Sequence, residues 1–289
     1  MNMYFDSADG TPLYYEEHGN KKGRPLFLLH GWAISSVFFS EQIPPLVKSG
    51  YRVITWDWRG HGKSNWNGSL KKYNTKEELL EIMYDDFKSL IAHLEIDEPY
   101  GLIGHSAGAG IGLSITLANP DEVMVLVILN SSYVLAENFA EKAAWQVIPR
   151  ALEASFSPII QIPYKMLARG SVPFLSLALG KPQRKVRSWV EDFIGVKKKT
   201  VMEEIKNLKS YNMLEELPRI QVPCLIIAGQ LDLLTPPKRS RILHKYIPDS
   251  ELHIIRNTGH LSMVERSKKV NEYLVNFLKR KYPANGSAN

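Results

Sequence analysis

The chain has 289 residues, 44% of them hydrophobic and 23% charged, a composition typical of a globular protein with one large domain. Its net charge is +6, but the basic stretches at residues 181–209 and 279–281 are not interleaved with aromatic residues, so we expect solvated basic faces and no nucleic-acid partner. No apolar run approaches the roughly 20 residues of a membrane span, the start lacks a signal-peptide pattern, and one cysteine excludes an intrachain disulfide, so we expect a cytoplasmic protein.

The first strands form a predicted hairpin. Residues 4–5 and 13–15 flank a loop that contains an Asp-Gly pair, which is typical of a tight turn between antiparallel strands. Six short, continuous apolar runs follow, and such runs are typical of strands that are buried on both faces of a parallel sheet. These runs are 25–29, 51–56, 100–103, 123–129, 224–228 and 252–255.

Predicted helices separate these strands. They span residues 76–94, 107–118, 237–247 and 264–281, the first with apolar residues at helical spacing. Alternating strands and helices imply right-handed crossovers and a doubly wound, mostly parallel sheet of eight strands. Between residues 133 and 218 the alternation stops, and no strong strand run occurs. We therefore predict an α/β core domain, residues 1–132 and 219–289, with a helical cap, residues 133–218, inserted after the sixth strand.

Chemically useful side chains follow several predicted strands, and functional groups of an open α/β sheet gather beyond the carboxyl ends of its strands. Residues 104–108 read G-x-S-x-G between a strand and a helix, the pattern of a nucleophile elbow. We predict Ser106 as the nucleophile, His260 after the eighth strand as its base, and Asp232 after the seventh as the acid that orients the base. The rival acid position, residues 130–132, reads Asn-Ser-Ser and contains no carboxylate.

An oxyanion hole would need two backbone N–H groups near the nucleophile. We expect them from Ala107, which follows the nucleophile, and from Trp32, in the loop after the third strand. The Trp32 indole either lines a substrate pocket or packs in the core. No metal-ligand or dinucleotide-binding pattern occurs, so we expect no metal and no cofactor. Structural roles are expected for the three other histidines of these segments, His30, His61 and His105.

These loops together resemble the α/β-hydrolase fold superfamily along essentially the whole chain. The matching motifs are His-Gly-Trp at 30–32, D-x-R-G-x-G-x-S at 57–64, Gly-His-Ser-Ala-Gly at 104–108, G-x-x-D at 229–232 and Gly-His at 259–260. Within that superfamily the chain is most similar to small carboxylesterases and cofactor-free haloperoxidases or perhydrolases. The resemblance implies hydrolysis of carboxylic esters with small to medium acyl or aryl groups through an acyl-enzyme intermediate.

The resemblance leaves several functions open. Lactonase, perhydrolase, monoacylglycerol lipase and C–C bond hydrolase would use the same triad. A serine at the elbow argues against haloalkane dehalogenases and epoxide hydrolases, which resemble this scaffold but have aspartate there. The non-enzymatic alternative is a ligand-binding receptor on a hydrolase fold, although such proteins usually lose members of the triad. The expected partner is a small-molecule ester, and a homo-oligomer is compatible with the sequence.

Overall fold

The continuous apolar runs form the central strands of one eight-stranded sheet. The computed structural model of the chain describes residues 3–64, 76–136, 158–195 and 211–285. Its strands are β1 (Tyr4–Asp6), β2 (Pro12–His18), β3 (Pro25–Leu29), β4 (Arg52–Trp56), β5 (Tyr100–His105), β6 (Val123–Leu129), β7 (Cys224–Gly229) and β8 (Ser250–Ile255). Their order across the sheet is β1-β2-β4-β3-β5-β6-β7-β8. Strand β2 pairs antiparallel with β1 and β4, and all other pairs are parallel, which confirms the predicted sheet.

Helices follow the strands and cover both faces of the sheet. They are α1 (Ile43–Lys48), α2 (Lys76–His93), α3 (Ala107–Ala118), α4 (Pro158–Gly170), α5 (Val172–Leu179), α6 (Gln183–Gly195), α7 (Pro237–Tyr246), α8 (Ser262–Glu265) and α9 (Ser267–Lys281). The sequence did not predict α1, a short helix with prolines in its first turn. The helix predicted at 264–281 is instead two helices, because the backbone leaves the helical conformation at Arg266. No helix in the described part of the chain is long and apolar enough to cross a membrane.

Strand β3 shows why the apolar runs are continuous. Alternate side chains of a strand point to opposite faces of its sheet. Phe27 and Leu29 join the cluster that contains residues of α2 and α3, whereas Leu26 and Leu28 join the cluster of α1 and α9. All four side chains are fully buried. Because both faces are covered, the strand contains no position that favours a polar residue.

Between β6 and β7 the described residues form three helices, α4 to α6, which we call the cap helices. They rest on the core mainly through α6, whose Val186 and Trp189 are buried in the same cluster as Phe38. Other parts of the predicted cap, residues 137–157 and 196–210, lie outside the described residues. The division of the chain at residues 133 and 218 therefore stays a prediction.

The expectation of a solvated basic face is wrong for two of the basic residues. Lys181 and Lys185 do not lie on a freely solvated face, because both ammonium groups form ion pairs with the carboxylate of Glu41. Glu41 lies in the core shortly before α1, and it also accepts a hydrogen bond from Ser267 at the start of α9. These ion pairs link the end of α5 and the start of α6 to the core.

Candidate active site

Ser106 occupies a strained turn between β5 and α3. Its φ of 53° and ψ of −121° are a combination that residues with a side chain rarely adopt. The flanking glycines allow strand and helix to come close. A Cβ on Gly108 would lie 2.1 Å from the carbonyl oxygen of Leu29, and a Cβ on Gly104 would lie 2.4 Å from the Cα of Ala109. The turn therefore holds the serine hydroxyl beyond the carboxyl end of β5.

Side chains from three strand ends form one hydrogen-bonded row. The Oγ of Ser106 lies 3.0 Å from Nε2 of His260, and Nδ1 of His260 lies 2.8 Å from Oδ2 of Asp232. The three residues follow β5, β8 and β7. These strands are parallel, so their carboxyl ends lie along the same edge of the sheet. The structure thus brings together the three residues that the sequence analysis predicted as a triad.

Asp232 is held in place and kept ionised. Its side chain is buried, and Oδ1 accepts the backbone N–H groups of Leu234 and Thr235, both at 2.9 Å. Burial alone would raise the pKa of Asp232, but hydrogen bonds from His260 and Thr235 outweigh it and lower the pKa to about 2. An ionised carboxylate only accepts hydrogen bonds, so Nδ1 of His260 carries a proton and Nε2 is free to accept one from Ser106.

Asn130 supports the same carboxylate, a role that the sequence analysis missed. Its Nδ2 donates to Oδ2 of Asp232 and to the carbonyl oxygen of Gly259, each at 3.0 Å, and its Oδ1 accepts a hydrogen bond from Ser262. The available signal was its position. Strand β6 lies between β5 and β7, so a residue at its end lies beside both the serine and the acid.

Of the two residues expected to form an oxyanion hole, Ala107 belongs to the elbow and Trp32 lies in the loop after β3. Trp32 and Ala107 line the same cavity as Ser106 and His260. A Cβ on Gly31 would lie 3.3 Å from the Cβ of Ser106, so the loop after β3 packs directly against the elbow. Ala107 begins α3, where backbone N–H groups lack partners within the helix and the helix dipole is positive. Trp32 is half-buried and is one of the residues that line the cavity.

Three buried histidines shape these loops. Nδ1 of His30 lies 2.8 Å from the carbonyl oxygen of Gly31, and its Nε2 accepts the backbone N–H of Trp58 at 3.0 Å. The rings of His30 and Trp58 stack with their centroids 4.2 Å apart. Burial lowers the pKa of His30, His61 and His105 to about 3, so all three are neutral at pH 7.

Asp57 and Arg59 make contacts within and between loops. Asp57 accepts the backbone N–H and the hydroxyl of Ser36. Arg59 forms ion pairs with Asp86 and Asp9, each at 2.6 Å. In the described ranges, no group of three or more His, Cys, Asp or Glu side chains could hold a metal ion.

A cavity of about 1050 Å³ opens onto Ser106 and His260. This volume is at the upper end of the range for sites that bind small molecules. Its walls are mostly apolar and come from both the core and the cap helices. The core contributes Ile34, Phe38 and Met83, and the cap helices contribute Leu179, Val186 and Trp189. The cavity can therefore enclose an apolar group next to the serine hydroxyl.

Comparisons with known proteins point to one fold. A family model described as the alpha/beta hydrolase fold matches residues 24–267. The chain is 28% identical over 288 residues to the AB hydrolase superfamily protein YisY of Bacillus subtilis, an alignment that covers 96% of this chain and 99% of that protein. It is 26% identical over 285 residues to a non-heme haloperoxidase of Rhodococcus erythropolis, covering 95% of this chain and 98% of that one.

A solved structure shows the same architecture. The esterase EaEST from Exiguobacterium antarcticum superimposes with a TM-score of 0.78 at 22% sequence identity. The superposition covers 96% of this chain and 100% of the esterase. At this identity the likeness concerns the fold alone.

Proposed function

The chain belongs to the α/β-hydrolase fold family, and we propose that it is a serine hydrolase that cleaves carboxylic esters. The observation that carries the proposal is the hydrogen-bonded row of Ser106, His260 and Asp232, with the serine in a strained turn at the mouth of a cavity. A serine hydroxyl is a weak nucleophile at neutral pH and requires a neighbouring base, and this row supplies one.

In the first half of the proposed reaction, Oγ of Ser106 attacks the ester carbonyl and Nε2 of His260 takes the hydroxyl proton. The ionised Asp232 stabilises the imidazolium that forms. The negative charge on the carbonyl oxygen is stabilised by the backbone N–H groups of Trp32 and Ala107, and the dipole of α3 adds to this effect. His260 then gives the proton to the alcohol oxygen, the C–O bond breaks, and the acyl group stays on Ser106.

In the second half, water enters as the alcohol leaves. His260 removes a proton from the water, the resulting hydroxide attacks the acyl carbonyl, and the same N–H groups stabilise the second oxyanion. The proton returns from His260 to Oγ of Ser106 as the acid departs. Atoms balance over the cycle: one ester and one water give one alcohol and one acid.

The cavity supports an apolar acyl or aryl group as the part of the substrate that is enclosed. Its walls are mostly apolar, so transfer of an apolar group from water is favourable, by about 0.8 kcal/mol per methylene. Lactonase, perhydrolase, monoacylglycerol lipase and C–C bond hydrolase activities would begin with the same serine. A panel of p-nitrophenyl esters from acetate to decanoate, with lactones and with peracid formation from acetate and peroxide, would rank the esterase, lactonase and perhydrolase activities.

The decisive test is Ser106→Ala, with Ser114→Ala in α3, the helix that follows Ser106, as the matched control. We expect Ser106→Ala to lower kcat on p-nitrophenyl butyrate by about 10⁴-fold or more and to abolish labelling by a fluorophosphonate, because the nucleophile is gone. Ser114 donates to the carbonyl oxygen of Gly110 one turn earlier in α3, so its variant is expected to retain turnover and labelling. Turnover by Ser106→Ala at the wild-type rate would refute the proposal.

A further inference from the structure

The loop that carries the Trp32 N–H is held in a strained conformation. Ala33, the next residue, has a φ of +59°, in the left-handed region that residues with a side chain rarely adopt. Such a conformation persists only where surrounding contacts fix it on both sides. On the N-terminal side the fixed point is His30, which bonds to Gly31 and Trp58. The fixed points on the C-terminal side lie at residues 35 and 36.

Residues 35 and 36 are adjacent serines, and each binds a carboxylate from a different part of the molecule. Asp57, in the core, accepts the N–H of Ser36 at 2.9 Å and its hydroxyl at 2.6 Å. Asp192, on the cap helix α6, accepts the N–H of Ser35 at 2.8 Å and its hydroxyl at 2.6 Å. The loop is therefore fixed on one side of the Ser35–Ser36 peptide by the core and on the other by the cap helices.

Helix α6 is itself seated on the segment that follows the loop. The Nε1–H of Trp189 donates to the carbonyl oxygen of Val37 at 3.2 Å, and its ring stacks on Phe38 with centroids 6.1 Å apart. Both aromatic side chains are buried. Asp192 lies almost one turn further along α6 and reaches Ser35, so the packing of Trp189 sets the position of the carboxylate.

We infer that Asp192 is a positioning residue for the oxyanion hole: its two hydrogen bonds to Ser35 fix the backbone of Ala33 and thereby the direction of the Trp32 N–H. The inference rests on the proposed function, which assigns that N–H to the oxyanion. Helix α6 is then part of the catalytic arrangement as well as a wall of the cavity. A cap that leaves the core also releases one of the two oxyanion donors.

The test uses the full-length protein and a small ester, p-nitrophenyl acetate, which makes few contacts with the cavity walls. Asp192→Ala removes both acceptors, and we expect kcat to fall about 10- to 100-fold because a misplaced oxyanion donor loses most of its effect. KM is expected to change by less than about threefold, because the ground-state carbonyl gains little from that donor. Asp192→Asn keeps one acceptor, so its kcat should lie between that of the wild type and that of Asp192→Ala.

Two control variants separate positioning from general attachment of the cap helices. Glu191 is the neighbouring residue on α6, and its ion pair with Arg169 lies on the surface, so Glu191→Ala should keep the wild-type kcat. Glu41→Gln weakens the contact of Glu41 with Lys181 and Lys185 but leaves Ser35 untouched. A fall in kcat for Glu41→Gln as large as that for Asp192→Ala would overturn the inference, because loss of cap attachment would then explain both.

A second readout requires no substrate. The rate at which a fluorophosphonate labels Ser106 depends on the oxyanion hole, because the phosphonyl oxygen occupies it. Slower labelling of Asp192→Ala and of Asp192→Asn, with wild-type labelling of Glu191→Ala, supports the inference even where no tested ester is turned over. Ester turnover that depends on Ser106, together with wild-type labelling and kcat in both Asp192 variants, would overturn the inference and leave the proposed function intact. Thermal unfolding shows whether each variant is folded. If Asp192→Ala does not fold, the kcat and labelling rate of Asp192→Asn test the inference.

Discussion

The core strands and the cap helices differ in how much of their apolar surface they bury. Every residue of β3, β5 and β7 is buried. Helix α5 is as apolar as these strands, yet Val172 is its single buried residue, and Phe174 and Leu177 are 77% and 84% exposed. Burial of apolar surface therefore contributes far more to the attachment of these strands than to that of α5.

Polar contacts make up part of the difference. Four of them join α6 and the turn before it to residues 35–41 of the core: Asp192 with Ser35, Trp189 with the carbonyl oxygen of Val37, and Lys181 and Lys185 each with Glu41. Contacts between ionisable groups depend on pH, whereas burial of apolar surface does not. The comparison thus predicts that the core and the cap helices respond differently to mutation and to acid.

The largest expected effect concerns the part of the site that lies wholly in the core. Asp232→Asn should lower kcat on p-nitrophenyl acetate by about 10⁴-fold, because an amide favours the wrong tautomer of His260. Its remaining oxygen can still accept the N–H groups of Leu234 and Thr235, but its new NH2 group faces the Nδ2 donor of Asn130, so the melting temperature should also fall. A fall of less than tenfold would show that another group orients the histidine, and the core would then not hold the complete triad.

A pair of leucine substitutions tests the difference in burial directly. Leu28→Ala in β3 removes a fully buried side chain and should lower the free energy of unfolding by about 2–5 kcal/mol. Leu177→Ala in α5 removes a side chain that is 84% exposed and should change it by less than about 0.5 kcal/mol. Urea unfolding of both variants measures the contrast. A similar loss for Leu177→Ala would mean that α5 is covered in solution.

The sequence predicted the core well because its patterns have local causes. A strand buried on both faces requires a continuous apolar run, and a strand-to-helix turn as tight as that at Ser106 requires glycines at 104 and 108. Parallel strands place their carboxyl ends at one edge, so Asp232 and His260 could be predicted near the serine from their order alone.

The contacts that the sequence did not predict join residues far apart in the chain. Asp192 and Ser35 are separated by 157 positions, and Lys181 and Glu41 by 140. Nothing in the local pattern distinguishes such a pair from solvated charges, because pairing depends on how the helices pack. The support of Asp232 by Asn130 belongs to the same class, since it follows from the order of the strands and not from a motif.

Two carboxylates that join the core to the cap helices, Glu41 and Asp192, should respond to pH in opposite ways. Burial alone would raise the pKa of Glu41, but Lys181 and Lys185 lower it to about 2, below its ordinary value of 4.5. Burial raises the pKa of Asp192 to about 6, above its ordinary value of 3.8, and the charge of Asp57 adds to the rise. The two carboxylates should therefore affect the free energy of unfolding with opposite dependence on pH.

The stabilisation from Glu41 is fully present above about pH 4.5 and is lost as the pH falls towards 2, so the advantage of the wild type over Glu41→Gln should shrink between pH 5 and pH 3. Ionised Asp192 is disfavoured in the fold, so the stability of the wild type relative to Asp192→Asn should fall as the pH rises from about 4 to about 6. Urea unfolding at pH 3, 4, 5 and 6 measures both differences. Slopes of the same sign would mean that at least one carboxylate lacks the partners assigned to it, and that the cap helices attach to the core differently.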